Sequence, residues 1–311
     1  MDAKPYAGDA VAPEDPLVGT LIKDSYHVER VIADGGMGRV YQAHDPHLGR
    51  VALKTLLPEY SAIEKVVRRF KREVAILQDA QCPHVVAMYD SGELDDGRAF
   101  FVMEYVDGVS LEDELERLDG KMDVSRALRI VLQLCAALVP AHELGIVHRD
   151  LKPENLVLCE INGQRDVLKV LDFGIAKPGA TDGRSITDAG MVIGTPTYMS
   201  PEQCRGQALD DRSDIYALGV ILYELLCGEP PFLAEEPWDV IRGHLKTPPV
   251  APSRRTPPVK IPPTLEWMLL CCLHKEPERR FQTMREVHEE MGHIAQAFGV
   301  ELPPSAEFGI D

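Results

Sequence analysis

The run His148-Arg149-Asp150-Leu151-Lys152-Pro153-Glu154-Asn155 is followed, seventeen residues after Asn155, by Asp172-Phe173-Gly174. Asp172 and Asn155 supply oxygen ligands suited to a small hard cation such as Mg2+, which keeps several waters and takes few protein ligands. Asp150 has the chemistry to orient an incoming hydroxyl and accept its proton, and Lys152 can offset charge on a group in transfer. These are the parts that phosphoryl transfer needs, because its loose, charged transition state calls for cations around the phosphates and an acceptor for the attacking hydroxyl. Solvated surface residues would not require all of these types in this order.

Two upstream segments could hold a nucleotide. Ile32-Ala33-Asp34-Gly35-Gly36-Met37-Gly38-Arg39-Val40 is a glycine-rich turn between two strand-like runs. Glycine lets backbone N–H groups approach a phosphate closely, although an ordinary Gly-Gly hairpin turn has the same composition. Val51-Ala52-Leu53-Lys54 reads as a strand with Lys54 among apolar neighbours. Glu73 lies beside Phe70, Val74 and Leu77, an apolar stripe at helical spacing, where a carboxylate needs a cation; Lys54 and the nearby Arg69 are both candidates.

The elements that must position these groups change character along the chain. Residues 1–25 are rich in Ala, Pro and Asp without an apolar period, and are expected to form a disordered leader. From Tyr26 to Tyr105, β-branched runs predict strands at Tyr26–Ile32, Arg39–Ala43, Val51–Thr55, Val85–Tyr89 and Ala99–Glu104, with one helix through Val66–Leu77. After residue 106 the spacing predicts helices over Arg126–Leu144, Ile215–Leu226, Leu265–Leu273 and Met284–His293. Pro140 should kink the first of these near its end. A tail is expected over 298–311.

Composition narrows the function. A net charge of -17 argues against a nucleic-acid partner. Seven scattered cysteines without a CxxC pair read as reduced residues of a cytoplasmic protein. No stretch reads as a membrane span; the best candidate, Ile215–Cys227, is short and contains Glu224.

Taken in order, GGMGRVY, MEYVDG, GIVHRDLKPEN, GTPTYMSPEQ, DIYALGVILYELL and GEPPF resemble the eukaryotic-like, Hanks-type bacterial serine/threonine protein kinases, from about Tyr26 to Gln296. The resemblance implies an α+β, two-lobed fold, with a small antiparallel-sheet N-lobe over 26–105 and a larger, mainly helical C-lobe over 106–297. It implies an ATP site between the lobes, under Gly35–Gly38 and beside Met103–Val106, and transfer of the γ-phosphate of Mg-ATP to Ser/Thr hydroxyls of protein substrates, with Mn2+ as the alternative ion. Position by position, Lys54 matches the lysine on the α- and β-phosphates and Glu73 its partner. Asp150 matches the catalytic aspartate, Lys152 the lysine typical of Ser/Thr kinases, and Asn155 and Asp172 the metal ligands. Met103 falls at the gatekeeper position, Glu104 and Val106 offer backbone contacts to adenine, and Val40, Ala52 and Val157 sandwich its ring, although all three are also ordinary core residues. His148, Phe173, Leu77 and Met88 match the regulatory spine. Glu202 of Ser200-Pro201-Glu202 should pair with Arg280, and Asp214 should brace the catalytic loop.

Ala33 departs from the family's GxGxxGxV pattern and is the one feature favouring the alternative, a pseudokinase scaffold or nucleotide sensor. A small-molecule kinase is disfavoured by the segment from Gly194-Thr195 to Glu202, which resembles a peptide dock. The resemblance also implies a phosphorylation switch at Thr187, read by Arg149, a structural role for Thr195, and self-association for autophosphorylation.

Overall fold

The computed structural model describes residues 15–35, 38–61, 82–118, 120–172 and 196–300. They divide into two compact units: one takes the residues up to 61 together with Met88–Tyr105, the other residues 82–87 and those from Val106 onward. The expected helix through Val66–Leu77, and Glu73 with it, lies outside the described residues.

The first unit contains strands β1 (Leu21–Ile22), β2 (Tyr26–Gly35), β3 (Gly38–Asp45), β4 (Gly49–Leu56), β5 (Met88–Glu93) and β6 (Ala99–Glu104). They make an antiparallel sheet in the order β1-β2-β3-β4-β6-β5. Side chains alternate across a strand, so Val51 and Leu53 of β4 join Tyr26, Val28, Tyr41, Phe100 and Val102 in the core and leave Ala52 and Lys54 on the opposite face. Val85 does not belong to β5: it bridges in parallel to Val170, where Val86 N–H donates to the Val170 carbonyl at 3.2 Å.

The folded chain starts before Tyr26, which corrects the expected leader. Asp15 accepts hydrogen bonds from the Leu17 amide at 2.9 Å and the Tyr41 hydroxyl at 3.0 Å, and it pairs with Arg39. Burial opposes its charge, but these partners hold the carboxyl below its usual range. Gly19 N–H donates to Val28 O at 2.8 Å, Val28 N–H donates to Thr20 O at 3.0 Å, and β1 follows. A two-residue strand carries no readable period.

The second unit is built on helices α1 (Leu111–Arg117), α2 (Val124–Glu143), α3 (Asp211–Cys227), α4 (Pro237–Lys246), α5 (Pro263–Cys272) and α6 (Met284–Ala297). Strands β7 (Gly108–Ser110), β8 (Leu156–Ile161) and β9 (Gln164–Val170) form an antiparallel sheet in that order. Asn162 (φ 53°) and Gly163 (φ 81°) turn the chain between β8 and β9, the left-handed pair that a two-residue hairpin loop favours.

Helix α2 corrects the membrane reading: by length and composition Val124–Glu143 could span a bilayer, yet 72% of its apolar window is buried against α3, α6 and β9. The helix continues through Pro140 to Glu143. Pro140 has no N–H for the Ala136 carbonyl, which instead accepts from the Cys82 thiol at 3.7 Å. Helix α3 is buried almost all round, and it approaches α5 so closely that a Cβ on Gly219 would stand 2.8 Å from that of Cys272. The fold also reaches past the expected tail boundary, since Val300 is buried and its N–H donates to Ala295 O at 2.9 Å.

Asp15→Ala removes the acceptor for three donors and is expected to lower the stability of the first unit by about 1–3 kcal/mol. A urea unfolding midpoint equal to wild type would show that the segment contributes nothing.

Candidate active site

The groups from the HRD-to-Asn run assemble in the second unit around buried Asp214, in the first turn of α3. The helix is capped by the Asp210 side chain, which accepts from Arg212 N–H. The Asp214 carboxylate accepts from the backbone amides of His148 at 2.7 Å and Arg149 at 2.9 Å, and meets His142 Nε2 of α2 at 2.8 Å. Arg149 sits at φ 66°, a left-handed conformation that costs a side-chain-bearing residue roughly 1–2 kcal/mol. The bond to its N–H and another from Gln203 Nε2 to its carbonyl, at 2.8 Å, hold it there. Asp150 follows directly, so its position rests on that turn.

His148 is fully buried. Asp150 N–H donates to its Nδ1 at 3.3 Å, so Nδ1 accepts, and the proton sits on Nε2, which donates to the Leu171 carbonyl at 3.1 Å. Burial pushes its pKa down, in keeping with this neutral tautomer. Asn155 Nδ2 donates to the Asp150 carbonyl at 2.8 Å, and Leu171 N–H donates to the Asn155 carbonyl at 2.8 Å. These bonds bring Asp150, Asn155 and Asp172 into one cluster. Asp172 takes φ 43°, a sharp backbone turn. Lys152 lies 3.3 Å from Glu154. Val157, on β8, is buried beside Gly108, where a Cβ would come within 2.6 Å of its Cγ1.

Glu202 and Arg280 form a bidentate pair at 2.8 and 2.9 Å, and Ser213 donates to Glu202 at 2.7 Å. Burial disfavours the Glu202 charge, but Arg280 outweighs it and holds the pKa below the ordinary value. Ser200 and Gln203 close a capping box around the turn Pro201–Cys204 that carries Glu202.

In the first unit, the register places Ala33 opposite Val40, Val40 opposite Lys54, and Ala52 opposite Met103, so all five share the face turned away from the core. Glu104 pairs with Val51, on the other face, which leaves its backbone rather than its side chain for contact with a ligand on the Lys54 face. Ile32 falls at the irregularity between Val31 and Ala33, and Asp34 pairs with Arg39. Gly35 pairs with Gly38, where a Cβ would lie 2.0 Å from the Thr55 carbonyl, so glycine is needed there by the sheet itself. Gly36, Met37, Glu73, Phe173, Thr187 and Thr195 lie outside the described residues.

Two residues that sequence reasoning missed hold the run His148–Asn155. Gln203 was readable as the last member of a Ser-x-x-Gln capping box, but its bond to Arg149 was not. His142 carries no local signal, since its partner lies 72 residues away. Burial opposes its charge, but Asp214 raises its pKa above the ordinary value, with Asp211 at 4.0 Å adding to the effect.

Residues 26–291 match the family model described as protein kinase domain. The chain is 43% identical over 269 residues to serine/threonine-protein kinase pkn3 of Myxococcus xanthus, covering 86% of this chain and 49% of that protein. It is 39% identical over 286 residues to serine/threonine-protein kinase PknB of Mycolicibacterium smegmatis, covering 91% and 45%. The chain thus spans about half the length of the curated relatives it matches. Among solved structures, the Mycobacterium tuberculosis PknI kinase domain superimposes with a TM-score of 0.69 at 30% identity, covering 89% of this chain and 98% of that one.

Arg280→Met leaves the Glu202 carboxylate buried without its partner and is expected to cost about 3–5 kcal/mol in chemical unfolding. A cost below about 1 kcal/mol, the range of surface pairs, would contradict this. The raised pKa of His142 makes the folded state bind the proton more tightly. The stability it contributes is fully present below about pH 6.5 and is lost as pH rises through the folded value. His142→Gln is expected to flatten that part of the stability–pH curve; an unchanged slope would assign the titration elsewhere.

Proposed function

We propose the activity from one premise: the chain belongs to the protein kinase domain family. The reading is an ATP-dependent serine/threonine protein kinase that moves the γ-phosphate of ATP onto Ser and Thr hydroxyls of protein substrates. The observation that carries it is the Asp214 clamp on His148 and Arg149, which fixes the turn presenting Asp150.

Several features fit the nucleotide and its metal. The amide NH2 of Asn155 is taken by the Asp150 carbonyl, which leaves its oxygen as the end suited to a cation, and Asp172 adds a carboxylate. Among the described residues no cluster of three or more His, Cys, Asp or Glu is placed to hold a metal by itself. Two hard oxygens completed by waters and phosphates suit Mg2+, which we assign, with Mn2+ as the alternative. Small and apolar side chains at Val40, Ala52 and Met103 suit a flat purine, and Lys54 shares their face. When bound, the metal neutralises phosphate charge. Asp150 orients the acceptor hydroxyl and takes its proton, while Lys152 offsets charge on the transferred group.

The regulatory part of the reading is phosphorylation of Thr187, supported by Arg149, whose backbone is fixed beside Asp150. A phosphate brings about -1.5 to -2 charges and one to three charge-assisted hydrogen bonds. Autophosphorylation through self-association, a role in signal transduction and a cytoplasmic site complete the proposal. The acidic net charge supports the absence of a nucleic-acid partner, the free cysteines a reducing compartment, and the burial of α2 a chain outside the membrane.

Incubation of the purified protein with labelled ATP and Mg2+ is expected to place phosphate on Ser and Thr of a protein acceptor. Asp150→Asn should lower the rate by about 10²–10⁴-fold, as loss of a general base does. Lys54→Met should abolish transfer in a protein that still folds. Label on tyrosine alone, or none from wild type, would overturn the reading, and full activity of both Thr187→Ala and phosphatase-treated enzyme would remove the switch.

A further inference from the structure

One polar cluster in the second unit, with Tyr216 and His244 buried and Lys275 half-buried, is not used by the chemistry above. Lys275, in the segment between α5 and α6, directs its ammonium inward, donating to the Gly243 carbonyl at 3.0 Å and to the Tyr216 hydroxyl at 3.2 Å. It lies 4.1 Å from the centre of the Phe232 ring. No carboxylate stands within ion-pairing distance of it among the described residues, whereas Arg280, its neighbour over the same Tyr216 ring, is neutralised by Glu202.

The cluster has a direction. Tyr216 receives the Lys275 bond and donates its own proton to His244 Nδ1, at 2.9 Å. His244 is fully buried on α4, edge-on to Phe232 with ring centres 5.0 Å apart. Phe232 presses so tightly on α4 that a Cβ on Gly243 would meet it at 2.8 Å. With Nδ1 accepting, the His244 proton sits on Nε2. The remaining polar neighbours of the ring are the backbone groups of Pro196 and Thr197, reached loosely, since Nε2 makes no hydrogen bond of ordinary geometry. Helix α4 packs against the turn Pro196–Tyr198, and Met199 N–H closes that turn on the Pro196 carbonyl at 3.1 Å. The bonds therefore run from Lys275 through Tyr216 to His244, and His244 abuts the segment that resembles a peptide dock.

We propose that Lys275, acting through Tyr216 and His244, is a positioning residue for Pro196–Tyr198 and so governs the binding of the protein substrate, leaving ATP binding and the transfer step untouched. The inference rests on the kinase reading for its substrate, but the relay itself is a property of the fold.

The electrostatics add a pH signature. Burial, then Arg280, pushes the Lys275 pKa down to about 7, with Arg205 acting in the same sense and Cys204 against it. The Cys204 thiol is itself pushed up to about 12, chiefly by burial and then by Glu202. Burial and the Lys275 charge depress His244 to about 3, so it stays neutral and does not titrate near neutrality. A docked Lys275 thus gives up its proton more readily than a released one, which would titrate near 10.4. Raising the pH above about 7 therefore favours the docked arrangement.

The test is steady-state kinetics with a protein acceptor on wild type, Lys275→Met and Lys275→Arg, together with amide hydrogen exchange at Met199. The expected result for Lys275→Met is a roughly five- to tenfold rise in the acceptor KM, the effect of lost hydrogen bonds, with kcat and the KM for ATP unchanged. The wild-type acceptor KM should fall as pH rises above about 7, and both variants should lose this dependence. Faster exchange at Met199 in Lys275→Met, with His148 and Arg149 amides unaffected, should accompany it. If kcat and both KM values worsen together, or if the pH dependence survives in both variants, Lys275 is merely structural and the proposal falls. If wild type phosphorylates no protein, the kinase reading fails separately, and the exchange at Met199 still decides the relay: equal protection in wild type and variant would refute it. Should Lys275→Met not fold, Lys275→Arg, which keeps the charge but not the ammonium geometry, supplies the same comparison.

Discussion

A carboxylate cannot stay charged in an apolar interior unless donors surround it, and Asp214 meets that condition with the backbone of the run His148–Asn155 itself. The arrangement works in both directions. The amides of His148 and Arg149 satisfy the buried charge, and the charge fixes two consecutive peptide planes in a turn that Arg149 would otherwise avoid. From that turn the geometry propagates by short bonds: His148 to Leu171, Asn155 to the Asp150 carbonyl, Leu171 back to Asn155. Moving Asp214 would release all of them, and with them the relative placement of Asp150, Asn155 and Asp172. The buried α3 supplies the rigidity this requires, since its first turn cannot shift without disturbing a helix packed on nearly every side.

Tyr216, half a turn further along α3, organises a second buried site by different means. Two cations approach its ring, Arg280 at 4.9 Å and Lys275 at 5.6 Å, but only Arg280 has a carboxylate, Glu202. A bidentate guanidinium–carboxylate pair with its remaining donors satisfied by backbone carbonyls is a fixed structural joint. An ammonium held by a carbonyl, a hydroxyl and a ring face is a weaker and adjustable one. Both lie in the short stretch between α5 and α6, so one joint anchors the turn carrying Glu202 and the other reaches toward the turn before it.

How much of this was legible in the sequence follows from the range of the interactions. Ala99–Glu104 was readable to the residue because its apolar run is bounded on both sides, and α2, α3, α5 and α6 declared themselves by spacing. The sheet of β7, β8 and β9 was not read, although Asn162-Gly163 is a strong local hairpin signal; β7 has only three residues, and the charges of Gln164–Val170 hide its alternation. Helix α4 was missed because Trp238, Arg242 and Lys246 lie toward solvent and leave a thin apolar stripe. The residues of the HRD-to-Asn run were legible as chemistry, but what positions them was not. The bonds from Asp214, His142 and Gln203 span tens of residues, and no periodicity encodes them.

The glycine-rich turn shows how geometry decides what a motif can lose. Ala33 stands where the family pattern has its first glycine, yet in β2 it is paired with Val40, is exposed, and does not take the left-handed backbone that would call for glycine. Gly38 is different: β3 and β4 approach so closely that any Cβ would collide with the Thr55 carbonyl, which is backbone and cannot swing aside. The substitution has fallen at the position where the sheet imposes no demand, and glycine remains where it does. Ala33 is therefore no argument for a lost nucleotide site. Nor is Gly38 by itself an argument for a nucleotide, since the sheet would require it with or without one. The weight of the functional reading falls instead on the polar cluster around Asp214, whose buried charges and strained turn have no comparable explanation in packing alone.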